Sequence, residues 1–231
     1  IYFARPDSLI KNKCAYEDRK NLGYQLAKET DVEADLVVPV PDSGVPAALG
    51  FAEKSKKHFE LGLIRNHYVG RTFIEPTQSI RSLGVKLKLS STKTIVKNKS
   101  IILIDDSLVR GTTCHKIVKM LYESGAKEVH VRIACPEIKY PDFYGVDMPT
   151  EEELLANKKN IQEMCEYIKA KSLEFLSLDG LYNALIGEKR QASYPQFSDH
   201  YFTGDYPIKP DDNLKGVNIK QLSLLSGKSS N

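Results

Sequence analysis

The stretch over residues 101–113 constrains this chain more than any other. An unbroken apolar run, Ile101-Ile102-Leu103-Ile104, meets two adjacent acids, Asp105 and Asp106, and then a loop that includes Ser107, Arg110, Gly111, Thr112 and Thr113. Consecutive apolar residues without alternation fit a strand buried on both faces, and such strands belong to parallel sheets sandwiched between helices. A strand of that kind needs parallel neighbours and crossover helices to reach them. The flanking sequence supplies both. Helical spacing of Leu22 and Leu26 predicts a helix over 19–29, followed by the run Leu36-Val37-Val38-Pro39-Val40, a turn at Pro41-Asp42-Ser43-Gly44 and an alanine-rich helix over 45–56. Further strands are predicted at 59–64, 129–134 and 173–178, with helices over 113–124, stopped by Gly125, and over 179–186. Thr150 ahead of Glu151, Glu152 and Glu153 reads as a capping hydroxyl before an acidic first helical turn. The alternation specifies the α/β class: a twisted, mostly parallel sheet with helices on both faces. One domain is expected over 1–187. From 188 to 231 the chain turns polar and irregular, an extension whose last residues, 214–231, read as a mobile tail.

Composition narrows what such a domain can do. With 41% hydrophobic and 27% charged residues, the 231-residue chain has enough apolar material for one core and is neither low-complexity nor disordered. Its 33 Lys and Arg against 30 Asp and Glu leave a net charge of +3, too balanced for a protein that coats nucleic acid. No apolar run approaches the roughly 18 residues of a membrane span, and the opening IYFARPDS lacks the basic head and apolar stretch of a signal peptide. Neither nucleic acid nor membrane is therefore expected as a partner, and a cytoplasmic location is. Cys14, Cys114, Cys135 and Cys165 are too scattered for a zinc site or a disulfide framework and read as reduced thiols, with Cys114 as buried filler. Ile1 opens the chain inside what looks like a strand, so a longer parent chain is expected.

The chemistry concentrates after the strand at 101–104. Open parallel sheets bind ligands beyond the carboxyl ends of their strands, which is where Asp105 and Asp106 stand. Ser107, Gly111, Thr112 and Thr113 add backbone N–H groups, hydroxyls and a helix N-terminus, which together cradle an anion. Two carboxylates beside a bound polyanion would repel it unless they held a divalent cation or accepted hydrogen bonds from neutral hydroxyls. A ligand with a ribose diol and a terminal phosphate satisfies both halves. The plainer alternative, in which the acids cap the helix and Gly111 is an ordinary turn, stays open at this point. The turn at Pro41-Asp42-Ser43-Gly44 is a second anion nest between strand and helix, for which plain capping by Ser43 is likewise open.

The string over 101–113 resembles the phosphoribosyl pyrophosphate (PRPP) binding signature of type I phosphoribosyltransferases. Within that group the chain resembles the amidophosphoribosyltransferases, or glutamine PRPP amidotransferases. The matching words are IYFARPDS at 1–8, VPVPDSGVPAALGFA at 38–52, HYVGRTFIEPTQSIR at 67–81, ILIDDSLVRGTT at 102–113 and FYGVDMPT at 143–150, with a weaker FLSLDGL at 175–181. The resemblance implies a type I phosphoribosyltransferase fold. It also implies formation of 5-phosphoribosylamine and pyrophosphate from PRPP and ammonia, the first step of purine biosynthesis. It implies that Asp42, Ser43, Gly44, Asp105, Asp106, Ser107, Arg110, Gly111, Thr112 and Thr113 bind PRPP, and that Ser43, Asp105 and Asp106 share a Mg²⁺ ion. The basic segment over 65–89, interrupted by Gly70, Pro76 and Gly84, corresponds to a flexible lid. On it Tyr68 and Arg71 would act on the substrate, and Phe73 and Ile74 would line the ammonia path. Where the family has KNRYVGRTF this chain carries Arg65 and His67, and a His is mostly neutral near pH 7.

The same resemblance implies partners outside these residues. The family makes its ammonia from glutamine in an N-terminal glutaminase domain that begins with a catalytic cysteine; Cys14 cannot be that nucleophile, so glutaminase activity is not expected of this chain. A homo-oligomer and purine nucleotides as feedback inhibitors are implied as well. Some relatives hold a [4Fe–4S] cluster through a cysteine before FYG and a later Cys-x-x-Cys pair. Here Asp142 precedes FYG and residues 193–200 contain no cysteine, so no iron–sulfur cluster is expected. A catalytically silent PRPP-sensing regulatory domain is the alternative, but it wants an added DNA-binding module and a basic face. A salvage or orotate phosphoribosyltransferase is a second one, against which the YVGRTFI lid and the FARPDS opening speak.

Overall fold

A computed structural model of the chain describes residues 2, 4–30, 32–66, 89–144, 150–193 and 195–208. In chain order it runs through a small antiparallel pair, β1 (Leu9–Ile10) and β2 (Lys13–Cys14), then α1 (Ala15–Thr30), β3 (Leu36–Pro39), α2 (Val45–Ser55) and β4 (His58–Phe59). The antiparallel strands β5 (Leu63–Arg65) and β6 (Leu89–Ser91) and the short α3 (Lys93–Val96) lead into β7 (Ser100–Asp105), α4 (Thr112–Glu123) and β8 (Glu128–Ile133). A 3-10 turn (Glu151–Glu153), α5 (Leu155–Lys158), α6 (Ile161–Ile168), β9 (Ser172–Phe175), α7 (Leu178–Ile186) and α8 (His200–Thr203) complete it. The central sheet has five strands in the order β4-β3-β7-β8-β9, and every pairing in it is parallel. Among the described residues no helix is long and apolar enough to cross a membrane.

The apolar run that dominates the sequence lies at the sheet's centre and feeds both faces. Ile101 and Leu103 pack with Ile117, Val118, Met164 and Ile168 of α4 and α6. Ile102 and Ile104 pack with Leu22, Leu26, Ala48 and Phe51 of α1 and α2. Side chains alternate across a strand, so one strand serves two cores. The second face is the tighter. A Cβ on Gly23 would lie 1.8 Å from the carbonyl oxygen of Ala47, and one on Gly50 would lie 1.9 Å from that of Lys20, so α1 and α2 meet backbone to backbone.

The sheet order also fixes where a ligand can sit. From β3 the chain passes through α2 to β4 on one side, whereas from β7 it passes through α4 to β8 on the other. The connections diverge between β3 and β7, and their loops leave a crevice at the carboxyl ends of that pair, the topological switch point of doubly wound sheets.

Several expectations change in detail. The strand predicted at 59–64 is two: β4 ends at Phe59, a tight turn with Gly62 N–H donating to Glu60 O at 2.9 Å follows, and β5 leaves the main sheet to pair with β6. The polar residues His130 and Arg132 of β8 are buried and bonded; Arg132 donates to Thr30 O, Val131 O and Ser172 Oγ, while His130 Nδ1 meets the same hydroxyl. Thr150 makes no side-chain capping bond, and the acids after it form only a short 3-10 turn. A helix absent from the sequence reading, α6, has a capping box in which Asn160 and Glu163 bond each other's backbone N–H at 2.9 and 2.8 Å. The polar extension after 187 is described as far as Ile208 and packs back onto the core, with Phe202 touching both clusters. The tail expected at 214–231 lies outside the described residues.

Candidate active site

The loop after β3 is short and set by the main chain. Register pairs Pro39 with Ile104, Val40 N–H then donates to Ile104 O at 2.8 Å, and Gly44 N–H turns back to Val40 O at 2.9 Å. A Cβ on Gly44 would lie 2.5 Å from Ile104 O, so only glycine lets the turn sit this close to β7. The Pro41–Asp42 peptide is cis. Gly44, not Ser43, is the N-cap of α2 and no side chain caps that helix, so simple capping does not account for Ser43. Asp42 is exposed and accepts a hydrogen bond from Arg65 Nη1 at 2.9 Å.

The loop after β7 is longer and built from side chains. Asp105 and Asp106 are half-buried at the strand's end; Asp106 N–H donates to Asp105 Oδ1 at 2.9 Å and Ser107 Oγ to Asp106 Oδ1 at 3.1 Å. Neither acid caps α4, whose N-cap is Gly111 in the left-handed region at φ 73°. Burial, and then the neighbouring charge of Asp106, push the Asp105 carboxyl well above the usual carboxylate range. Thr112 and Thr113 open α4 and are exposed. Residues far along the chain support the loop from outside. Arg110 Nη2 pairs with Glu153 Oε2 at 3.0 Å, Leu155 N–H donates to Val109 O at 2.9 Å, and Leu155 and Tyr167 pack over Gly111.

The structure thus brings Asp42, Ser43 and Gly44 to one side of the crevice and Asp105 through Thr113 to the other. Tyr68, Arg71, Phe73 and Ile74, with His67 and most of the lid segment, lie outside the described residues. The sequence reading missed Glu153, Leu155 and Tyr167, because their contact with the loop is tertiary and leaves no local pattern. It also passed over a cavity of about 700 Å³ that begins at Asp106 and Ser107 and extends past Cys135 to His200 and Tyr201. Cys114 is buried, and burial raises its thiol pKa, as suits inert filler.

The donor set at the end of β7 is all oxygen, two adjacent carboxylates and a serine hydroxyl. Among the described residues no cluster of three or more His, Cys, Asp or Glu side chains could hold a metal. The half-buried acids press on each other, and two carboxylates leave most of a coordination sphere to be filled by ligand oxygens. That arrangement fits a hard divalent cation shared with a polyphosphate substrate.

Comparison with known proteins places the chain as a whole. The phosphoribosyl transferase domain family model matches residues 8–165. The amidophosphoribosyltransferase of Rhizobium etli is 58% identical over 227 residues, covering 98% of this chain and 46% of that protein. Its counterpart in Staphylococcus aureus is 52% identical over 207 residues, 90% of this chain and 42% of the relative. Among solved structures, glutamine PRPP amidotransferase from B. subtilis complexed with ADP and GMP superposes with a TM-score of 0.83 at 48% identity, covering 92% of this chain and 46% of that one. The chain spans about half the length of the curated relatives it matches.

Proposed function

The chain belongs to the phosphoribosyl transferase domain family, and on that premise we propose that it performs the phosphoribosyl half of an amidophosphoribosyltransferase reaction, exchanging the pyrophosphate of PRPP for ammonia to give 5-phosphoribosylamine. The observation that carries the proposal is the pair of loops at the neighbouring ends of β3 and β7, the second of which opens with two adjacent carboxylates. The loop over 107–113 offers backbone N–H groups and the hydroxyls of Thr112 and Thr113 to a terminal phosphate. Asp105 and Asp106 accept from the ribose hydroxyls, and Arg110 adds charge beside them. The turn at Asp42, Ser43 and Gly44 faces the pyrophosphate.

Ammonia attacks the anomeric carbon as the bond to the pyrophosphate oxygen breaks, and the resulting ammonium group loses a proton to solvent. The transition state resembles an oxocarbenium ion, so positioning and charge neutralisation supply most of the acceleration and no protein nucleophile is needed. When bound, Mg²⁺ held by Asp105, Asp106 and Ser43 would neutralise charge on the departing pyrophosphate. On the resemblance, Tyr68 and Arg71 meet PRPP from the lid, and Phe73 and Ile74 keep the ammonia path dry. The relatives' longer chains support a glutaminase half as the source of ammonia, and the ADP and GMP in the B. subtilis complex support a response to purine nucleotides. A homo-oligomeric, cytoplasmic enzyme without an iron–sulfur cluster completes the proposal; Asp142 and His200 bond each other instead of presenting thiolates.

The test is pyrophosphate release from PRPP and Mg²⁺ with ammonium or glutamine as nitrogen donor. Ammonium-dependent turnover without a response to glutamine is expected. Silence with both donors would overturn the reading, and PRPP binding by calorimetry would then distinguish a regulatory domain, which binds, from a chain that cannot form the site.

A further inference from the structure

The cavity beside Asp106 has an outer wall made of chain remote in sequence from the catalytic loop, and one buried carboxylate–imidazole hydrogen bond joins its two layers. Residues 139–144 follow β8, and residues 199–208 lie against them. His200 Nε2 meets Asp142 Oδ1 at 2.9 Å, with the two side chains only 2% and 1% exposed. The Asp142 carboxylate also accepts from Tyr144 N–H at 2.8 Å and is hydrogen-bonded to the Tyr201 hydroxyl. The imidazole is ringed by Tyr201 at 4.1 Å, Tyr206 at 5.0 Å and Tyr144 edge-on at 5.2 Å, and its Nδ1 has no hydrogen-bond partner among the described residues. Two main-chain bonds and one side-chain bond finish the seam: Lys139 and Tyr140 N–H both donate to Tyr201 O, and the Tyr206 hydroxyl donates to Pro141 O at 2.9 Å.

Burying a carboxylate and an imidazole costs desolvation even when they are hydrogen-bonded, so the contact is a poor source of net stability compared with apolar packing. Its location suggests another use. Across β7, the turn proposed to face pyrophosphate lies toward β3, whereas the cavity lies toward β8, where Cys135 lines it just past the strand's end. In-line displacement requires nucleophile and leaving group on opposite sides of the anomeric carbon, so the nucleophile approaches from the cavity side. Water competes there with ammonia, and residues 198–202, Pro207 and Ile208 line the cavity on that side.

We propose that Asp142 and His200 form a positioning pair that holds residues 199–208 as the water-excluding wall on the nucleophile side of the crevice. The proposal rests on the functional reading above and assigns neither residue contact with substrate.

The test uses the 231-residue chain with His200→Ala, which removes the donor, and Asp142→Asn, which keeps an acceptor for Nε2–H. Pyrophosphate release from PRPP is measured with and without ammonium. For His200→Ala the hydrolytic share of turnover is expected to rise at least about fivefold and KM for ammonium with it, while KM for PRPP stays within about twofold. Asp142→Asn keeps the acceptor for Nε2–H but not the second oxygen that Tyr144 N–H uses, so it is expected to shift in the same direction by less than His200→Ala. A second readout needs no activity: alkylation of Cys135 by iodoacetamide, mapped by peptide mass spectrometry, is expected to accelerate at least about tenfold in His200→Ala, since this thiol is 1% exposed and lines the cavity. If His200→Ala does not fold, Tyr206→Phe, which loses only the bond to Pro141 O, is expected to give smaller shifts of the same sign. An unchanged ammonia-to-water partition in folded variants, even with a lower Tm, overturns the proposal. A wild type that releases no pyrophosphate overturns the functional reading and the role on the nucleophile side with it, while the Cys135 rates still decide whether the pair holds the wall shut.

Discussion

The loops after β3 and β7 leave neighbouring strands at the same end of one sheet, yet they are stabilised in opposite ways. The first is fixed by main-chain bonds and by a glycine with no room for a methyl group, all contributed by residues within or adjacent to the strand pair. The second borrows its shape from Glu153, Leu155 and Tyr167, which enter the fold some forty to sixty residues later. A turn that grips a leaving group benefits from rigidity at the backbone level, whereas a loop that holds acids beside a phosphate must tolerate repulsion and be supported from behind. The difference teaches that one side of the crevice is complete once β3, α2 and β7 have assembled, and the other waits for the C-terminal third of the chain.

Substitutions that separate chemistry from stability test this contrast most strongly. Asp105→Asn combined with Asp106→Asn is expected to lower Mg²⁺-dependent pyrophosphate release by about a thousandfold, roughly 4 kcal/mol. Its Tm should be equal to or above wild type, because the pair's mutual repulsion is gone; a fall of several degrees by calorimetry would mean that the acids are structural. Gly44→Ala places a methyl group against backbone that cannot move aside and should cost about 3 kcal/mol in urea unfolding. In the returning C-terminal segment, Arg190 holds the buried Asp199 at 2.6 Å and also pairs with Asp205, so Arg190→Met should cost about 2 kcal/mol at neutral pH. Burial alone would raise the Asp199 carboxyl, but its bonds to Arg190 and Tyr182 prevail and hold it below the usual range. Its contribution is therefore present above the unfolded carboxylate value and lost as pH falls through the folded one. The gap between wild type and Arg190→Met in urea midpoints should narrow as pH falls below the usual carboxylate range and through the lowered Asp199 value. Gly111→Ala meets the end of the Leu155 side chain rather than backbone, and with its positive φ should cost about 1–2 kcal/mol, less than the Gly44 change. If the two glycines reverse in rank, the contrast between main-chain and side-chain support is wrong. Smallest of all, Glu153→Gln removes a half-exposed pair with Arg110 and should change stability by no more than about 0.5 kcal/mol after solvent screening.

What was legible in the sequence follows the same division. Ile101 to Ile104 and Leu36 to Val40 declared themselves because a strand buried on both faces writes a continuous apolar run, and Asp105, Asp106 and Gly111 stand at positions fixed by that strand's end. The partners of Asp142, Asp199 and Glu153 were not legible: each meets its counterpart, His200, Arg190 or Arg110, across tertiary space, and no periodicity records such a meeting. The helix α6 is a different case. Asn160 followed by Glu163 is a local capping signal that the sequence does carry. The acids after Thr150 resemble a helix start because their charges suit a dipole, but Leu154, fully buried, draws the chain inward after three residues.

The contact of α1 with α2 has a consequence for how this fold can diversify. Where two helices touch through the glycines at 23 and 50, there is no layer of side chains to exchange, so that face cannot be retuned by gradual substitution. Because α2 begins at the turn after Gly44, the welded pair also fixes the height of that turn above the sheet. A lineage built on this scaffold can lose that face or keep it, but variation in which nucleophile it accepts has to be written on the opposite flank, around β8 and the returning C-terminal segment.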